Sequence, residues 1–143
     1  MTNRNATAKW QGSLRDGGGS VALGAGVLEA PISFSSRFEE GEGTNPDQLL
    51  AGALAGCFTM ALAHVLSEAG NPPDSLETEA SVTLRQSDEG LAITKIDLSL
   101  HGRVPGIDQG AFAEHAEAAK AGCAVSNALA GVGEIALDAQ LEA

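Results

Sequence analysis

A chain of 143 residues is one domain's worth, and with 43% hydrophobic residues it can bury a core without needing a disulfide to fold. Nineteen acids against eight bases leave a net charge of −11, which argues against nucleic acid or an anionic membrane as partner and fits a soluble cytoplasmic protein. No stretch approaches the ~20 apolar residues of a membrane span, and Met1-Thr-Asn-Arg-Asn-Ala-Thr lacks the apolar core of a signal peptide.

Residues 5–35 read as β structure with glycine-rich turns. Ala8–Gln11 is a short mixed stretch, and Asp16-Gly-Gly-Gly19 is a turn signal. Ser20–Leu23 and Gly26–Phe34 carry the Val, Leu, Ile and Phe of strands, with Pro31 marking an edge or a break. Ser35–Gly43 is polar and acidic and is expected to be a loop. A helix follows, with Asn45 as N-cap, Pro46 at the first helical position and Gln48 placed as in a capping box. It runs through the Ala-, Leu- and Met-rich segment to Glu68 and ends at Gly70-Asn-Pro-Pro73. Being apolar almost all the way round from Leu49 to Ala63, it should be central and buried. Its small residues Gly52, Ala53 and Gly56 would admit another backbone, from a partner chain or a sheet.

Leu76–Arg85 and Leu91–Val104 alternate as strands around the turn Ser87-Asp-Glu-Gly90. Ile93 falls out of register with Ile96, Leu98 and Leu100, which predicts a bulge or a late strand start. Asp108 is a plausible N-cap for a helix over about Gln109–Ala121. A short helix from about Cys123 to Ala130 and a last strand over Ile135–Leu141 complete the order β-β-β-α-β-β-α-α-β, an α+β fold in a single domain, residues 1–143.

The two cysteines, Cys57 and Cys123, carry the chemical interest. Two thiols in a reducing compartment are more often catalytic or redox-sensing than a structural disulfide, although two buried thiols packed as small hydrophobes would read the same way. Cys57 lies in an apolar helix, and apolar surroundings raise a thiol's pKa, so as a nucleophile it needs a cation or donors nearby. Arg37, between Phe34 and Phe38, is the most suggestive cation; its simpler reading is a surface arginine paired with Glu39, Glu40 or Glu42. Asp47 lies ten residues before Cys57, ~15 Å along a straight helix. It would therefore have to serve the cysteine from a second chain or through an intermediate residue; otherwise it is an acid in a helix's first turn. His64 sits two turns, ~10.5 Å, beyond Cys57, too far to pair with it, and reads as a structural histidine. No spacing suggests a metal site, a phosphate loop or a nucleophile elbow.

Taken together, Thr44-Asn-Pro-Asp-Gln-Leu-Leu-Ala-Gly-Ala-Leu-Ala-Gly-Cys57-Phe-Thr-Met-Ala-Leu resembles the signature helix of the OsmC/Ohr proteins, and Ala121-Gly-Cys-Ala-Val-Ser126 resembles the family's second cysteine motif. Ser35-Ser-Arg-Phe-Glu39, Ile93-Thr-Lys-Ile96 and Val104-Pro-Gly-Ile-Asp108 resemble further family segments, nearer the OsmC branch. The resemblance covers essentially the whole chain. It implies antiparallel sheets wrapped around a central buried helix, in an intertwined homodimer with two active sites at the interface. It also implies a thiol peroxidase without a bound cofactor, acting on organic hydroperoxides. Cys57 would attack the peroxide and Cys123 resolve the sulfenic acid as a disulfide. Arg37 would stabilise the thiolate and orient the peroxide, Asp47 would stand where the family commonly has Glu, and a dithiol or lipoyl group would regenerate the enzyme. Phe38, Phe58 and Met60 are candidates for an apolar substrate wall; core packing is their alternative role. Ala124 replaces the family's usual Pro and is expected to loosen the turn that presents Cys123. Competing readings are a non-catalytic dimeric stress or binding protein with a structural disulfide, and a redox sensor.

Overall fold

In the computed structural model, which describes residues 1–142, the chain divides into two units, Met1–Leu49 and Leu50–Ala143. The first unit holds a three-stranded antiparallel meander: β1 (Ala6–Gln11), β2 (Gly18–Leu23) and β3 (Leu28–Ile32), in spatial order β1-β2-β3. Pro31, which cannot donate to a ladder, lies on β3 at the edge of this sheet, as expected.

The expected loop at Ser35–Gly43 is corrected by a short helix, α1 (Phe34–Phe38). Its cause is a reciprocal cap. The Ser36 backbone N–H donates to Ser33 Oγ at 3.0 Å, and the Ser33 N–H donates to Ser36 Oγ at 2.9 Å. Ser36 Oγ also donates to the Thr44 carbonyl at 2.7 Å, and Asn45 Nδ2 donates to the Ser36 carbonyl at 2.9 Å. Two serines thus tie a segment of loop-like composition to the start of the next helix.

That helix, α2 (Pro46–Glu68), spans the boundary between the units. Its start is as read: Asn45 Oδ1 accepts the Gln48 N–H at 2.7 Å. It ends at Gly70, whose φ of +85° is the left-handed conformation that glycine adopts freely, and the Asn71 N–H closes back on the Leu66 carbonyl at 2.9 Å. With 23 residues, α2 is long and apolar enough to cross a membrane by length and composition, which corrects the reading that no stretch approaches such a span. Its residues Leu54, Phe58, Leu62 and Leu66 recur every four positions and are fully buried in a core shared with sheet and helices, the pattern of a helix packed by one face into a protein core. Burial is confined to that side: Gly52, Ala53, Gly56 and Met60 stay exposed, and a Cβ built on Gly52 or Gly56 would meet nothing.

The second unit is built on β4 (Ser75–Ser87), β5 (Gly90–Arg103) and β6 (Glu134–Leu141), in order β4-β5-β6. Leu76, Thr78, Ala80 and Val82 pair with Gly102, Leu100, Leu98 and Ile96 on the core face. The register slips between Thr83 and Leu84, where Thr94 is the extra residue of β5, so Ile93 pairs with Leu84. This is the bulge expected from the broken alternation. β6 pairs with β5 in parallel, which corrects the expectation of purely antiparallel sheets. The helical segment between the two strands carries the chain back along the sheet, so the last strand runs the same way as β5.

That segment comprises α3 (Gln109–Gly122) and α4 (Ala124–Ala128). Asp108 caps α3, accepting the Ala111 N–H at 2.8 Å. Phe112, Ala116 and Ala119 form the buried row of α3, and Cys123 extends it. Phe112 fits because β5 has Gly102 beneath it; a Cβ there would press into the Phe112 ring.

Candidate active site

The two thiols meet in the second unit. Cys57 lies on α2, and Cys123 closes α3 and caps α4; both are free, and each affects the ionisation of the other. Cys123 is 1% exposed, whereas Cys57 is half-buried on the margin of the core. Cys123 Sγ accepts the Ser126 N–H at 3.5 Å. Ala124 takes the first position of α4, a place that also suits proline, and Cys123 before it has the extended conformation (φ −71°, ψ 123°) that a following proline would impose. The turn therefore forms with alanine in that place.

The thiols titrate together. Burial raises the pKa of Cys57, and the neighbouring Cys123 thiol raises it further, partly offset by backbone N–H groups of Val125 and Ala124. Burial also works against ionisation of Cys123, but the Cys57 thiol and the N–H groups of Ser126 and Val125, with the nearby Ser126 hydroxyl acting in the same sense, outweigh it, and its pKa is lowered. The surroundings of Cys123 thus favour its charged form, and those of Cys57 disfavour it. Exposure favours the opposite assignment for attack on a solute, because Cys57 is the more accessible thiol.

In the first unit, Arg37 closes α1 and Asp47 opens α2. Arg37 Nε and Nη2 donate to Asp47 Oδ2 and Oδ1, each at 3.4 Å, with side chains 30% and 13% exposed. Both prongs of the guanidinium reach the carboxylate at the long end of hydrogen-bond range, so the short Asp side chain does span the gap. Asp47 thus has its partner within its own chain, and Arg37 pairs with it rather than with Glu39, Glu40 or Glu42. The guanidinium also lies 5.4 Å from the centroid of the Phe38 ring. Phe38 packs 4.9 Å from Phe34, which carries Arg15 at 4.6 Å on its ring. Arg37 and Phe38 line a cavity of about 190 Å³ together with Trp10, Leu14 and Ile32.

Residues 39–137 match the family of OsmC-like proteins. Over 141 residues the chain is 45% identical to Peroxiredoxin OsmC of Escherichia coli strain K12, covering 98% of this chain and 97% of that protein. The chain belongs to the OsmC family. It is also 34% identical over 122 residues to the organic hydroperoxide resistance protein OhrB of Bacillus subtilis strain 168, covering 84% and 88% of the two chains. An organic hydroperoxide resistance protein from Elizabethkingia anophelis superposes with a TM-score of 0.75 at 25% identity, over 99% of this chain and 96% of that one.

The stretch matched to the OsmC family contains Asp47, Cys57, Phe58, Met60 and Cys123; Arg37 and Phe38 precede it. Phe58 is fully buried in the core row of α2, and Met60 is 75% exposed on the open side. His64, read as structural, is exposed. Sequence reasoning missed the Ser33–Ser36 cap that sets Arg37, although Ser-x-x-Ser before an Arg is visible as a capping pattern. Composition gives no role to Arg15, whose place on the Phe34 ring only the structure reveals, or to Ser126 within the second cysteine motif.

Proposed function

We propose that this chain is a thiol peroxidase that reduces organic hydroperoxides to alcohols, and the juxtaposed free thiols Cys57 and Cys123 are the observation that carries the reading. The Cys57 thiolate attacks the peroxide O–O bond. The alkoxide leaves as alcohol after taking a proton, and Cys57 becomes a sulfenic acid. Cys123 then displaces the oxygen as water, giving a Cys57–Cys123 disulfide that an external dithiol or lipoyl group reduces by exchange. The names of the OsmC and OhrB relatives support the peroxide substrate.

Cys57 needs a cation to draw the pair's charge onto its own sulfur, and Arg37 is proposed to supply it and to stabilise the leaving oxygen. Asp47 holds Arg37 by both prongs. Asp47→Ala is expected to lower kcat/KM about tenfold while costing at most ~1 kcal/mol of stability, since the pair is partly exposed. Asp47→Glu should retain activity; steady-state peroxide kinetics beside thermal unfolding check both. The open side of α2, with exposed Gly52, Gly56 and Met60, supports a homodimer.

The test is consumption of cumene hydroperoxide and of hydrogen peroxide by dithiol-reduced protein. The name of the OhrB relative, an organic hydroperoxide resistance protein, supports a preference for the organic peroxide. Equal turnover of the two would remove that preference, and no turnover with either dithiothreitol or a lipoyl dithiol would remove the peroxidase reading.

A further inference from the structure

Ser126 has a buried side chain that the roles above leave unused. The residue is 7% exposed, and its hydroxyl oxygen is sealed from solvent with no hydrogen-bond partner among the described residues. Buried hydroxyls are nearly always paired, so an orphan calls for a reason. The nearby chemistry offers one. Ser126 lies three residues after Cys123, whose Sγ already takes its backbone N–H. A hydroxyl is a rotor that can donate where an acceptor appears. A neutral thiol is a weak acceptor, whereas a thiolate is a strong one.

We propose that Ser126 is a positioning residue for the resolving step: its hydroxyl turns onto Cys123 Sγ as that atom loses its proton, and holds the thiolate facing Cys57. The proposal rests on the peroxidase reading. In the step itself Cys123 sulfur attacks the sulfenic sulfur of Cys57. The S–S bond forms, the S–O bond breaks, and hydroxide leaves as water with the proton that Cys123 gave up. Backbone donors to the attacking sulfur come from the chain that follows it, the N–H groups of Val125 and Ser126, and the Ser126 hydroxyl lies beside them without an acceptor. The titratable group facing it is Cys57 on α2. The hydroxyl's influence on Cys123 favours the charged form, in the sense the proposal needs. The orphan is then a donor kept for a charge that exists only during turnover.

Two readouts test this. In rapid-mixing experiments with cumene hydroperoxide, Ser126→Ala should leave the rate of Cys57 oxidation unchanged and slow disulfide formation about tenfold, the loss of one hydrogen bond to a charged atom. Ser126→Thr, which keeps the hydroxyl, should restore the rate. In the Cys57→Ser background, thiolate absorbance should show Ser126→Ala raising the pKa of Cys123. Disulfide formation at the wild-type rate in Ser126→Ala, or an unmoved Cys123 pKa, would overturn the role. The thiolate titration needs no peroxide, so it decides on Ser126 even if the protein proves to have no peroxidase activity.

Discussion

Cys57→Ser is expected to reduce hydroperoxide turnover by at least about a thousandfold while leaving the fold intact. Serine keeps the shape of the side chain but replaces a polarisable nucleophile with an alcohol that stays protonated at neutral pH. The site tolerates the change structurally because Cys57 is half-buried on the margin of the core, with Leu54 and Phe58 carrying the packing beside it. Far-UV circular dichroism and thermal unfolding should therefore match the wild type. Peroxide consumption, followed by oxidation of the reductant, should fall to the background of the dithiol alone. Residual turnover carried by Cys123 would mean that the more acidic thiol of the pair, although 1% exposed, is the one that meets peroxide.

Cys123→Ser has the second large effect, of a different kind. The first oxidation of Cys57 should proceed, but the sulfenic acid then has no thiol within reach in its own chain. With excess peroxide and no reductant, Cys57 should pass to sulfinic acid, read as two added oxygens in the intact mass, where the wild type stops at a disulfide. Steady-state turnover should fall about tenfold or more, because the external dithiol must attack the sulfenic acid directly. The change also removes a thiol from the row that Phe112, Ala116 and Ala119 bury. A modest loss of stability is expected, measurable apart from the chemistry. Wild-type resistance to over-oxidation in this variant would remove Cys123 from the mechanism.

How much of this was legible in the chain varied with the physics of each element. Caps are local, so Asn45 and Asp108 announced their helices, and the out-of-phase Ile93 announced the bulge now seen at Thr94. The direction of β6 is not local. Its alternation identifies a strand, but only the packing of α3 and α4 decides that it lies parallel to β5. α1 was hidden because its composition is that of a loop and its stability comes from the Ser33–Ser36 reciprocal bonds. At the site, the motifs pointed to both cysteines, to Arg37 and to Asp47. They could not show that Asp47 holds both prongs of Arg37 within one chain, nor that the surroundings of the thiol pair favour the charged form of Cys123 over that of Cys57. Phe58 and Met60 looked alike as apolar neighbours of Cys57. The helical phase separates them, placing Phe58 in the core and Met60 on the open side.

The central claim is that Cys57 and Cys123 form a peroxide-driven redox couple. Intact-mass analysis of the fully reduced protein after one equivalent of cumene hydroperoxide, with peptide mapping, tests it most directly. The account predicts a rapid loss of two hydrogens and a Cys57–Cys123 cross-linked peptide, both reversed by a dithiol. An unchanged mass, with both thiols still free after the peroxide has been offered, would contradict it.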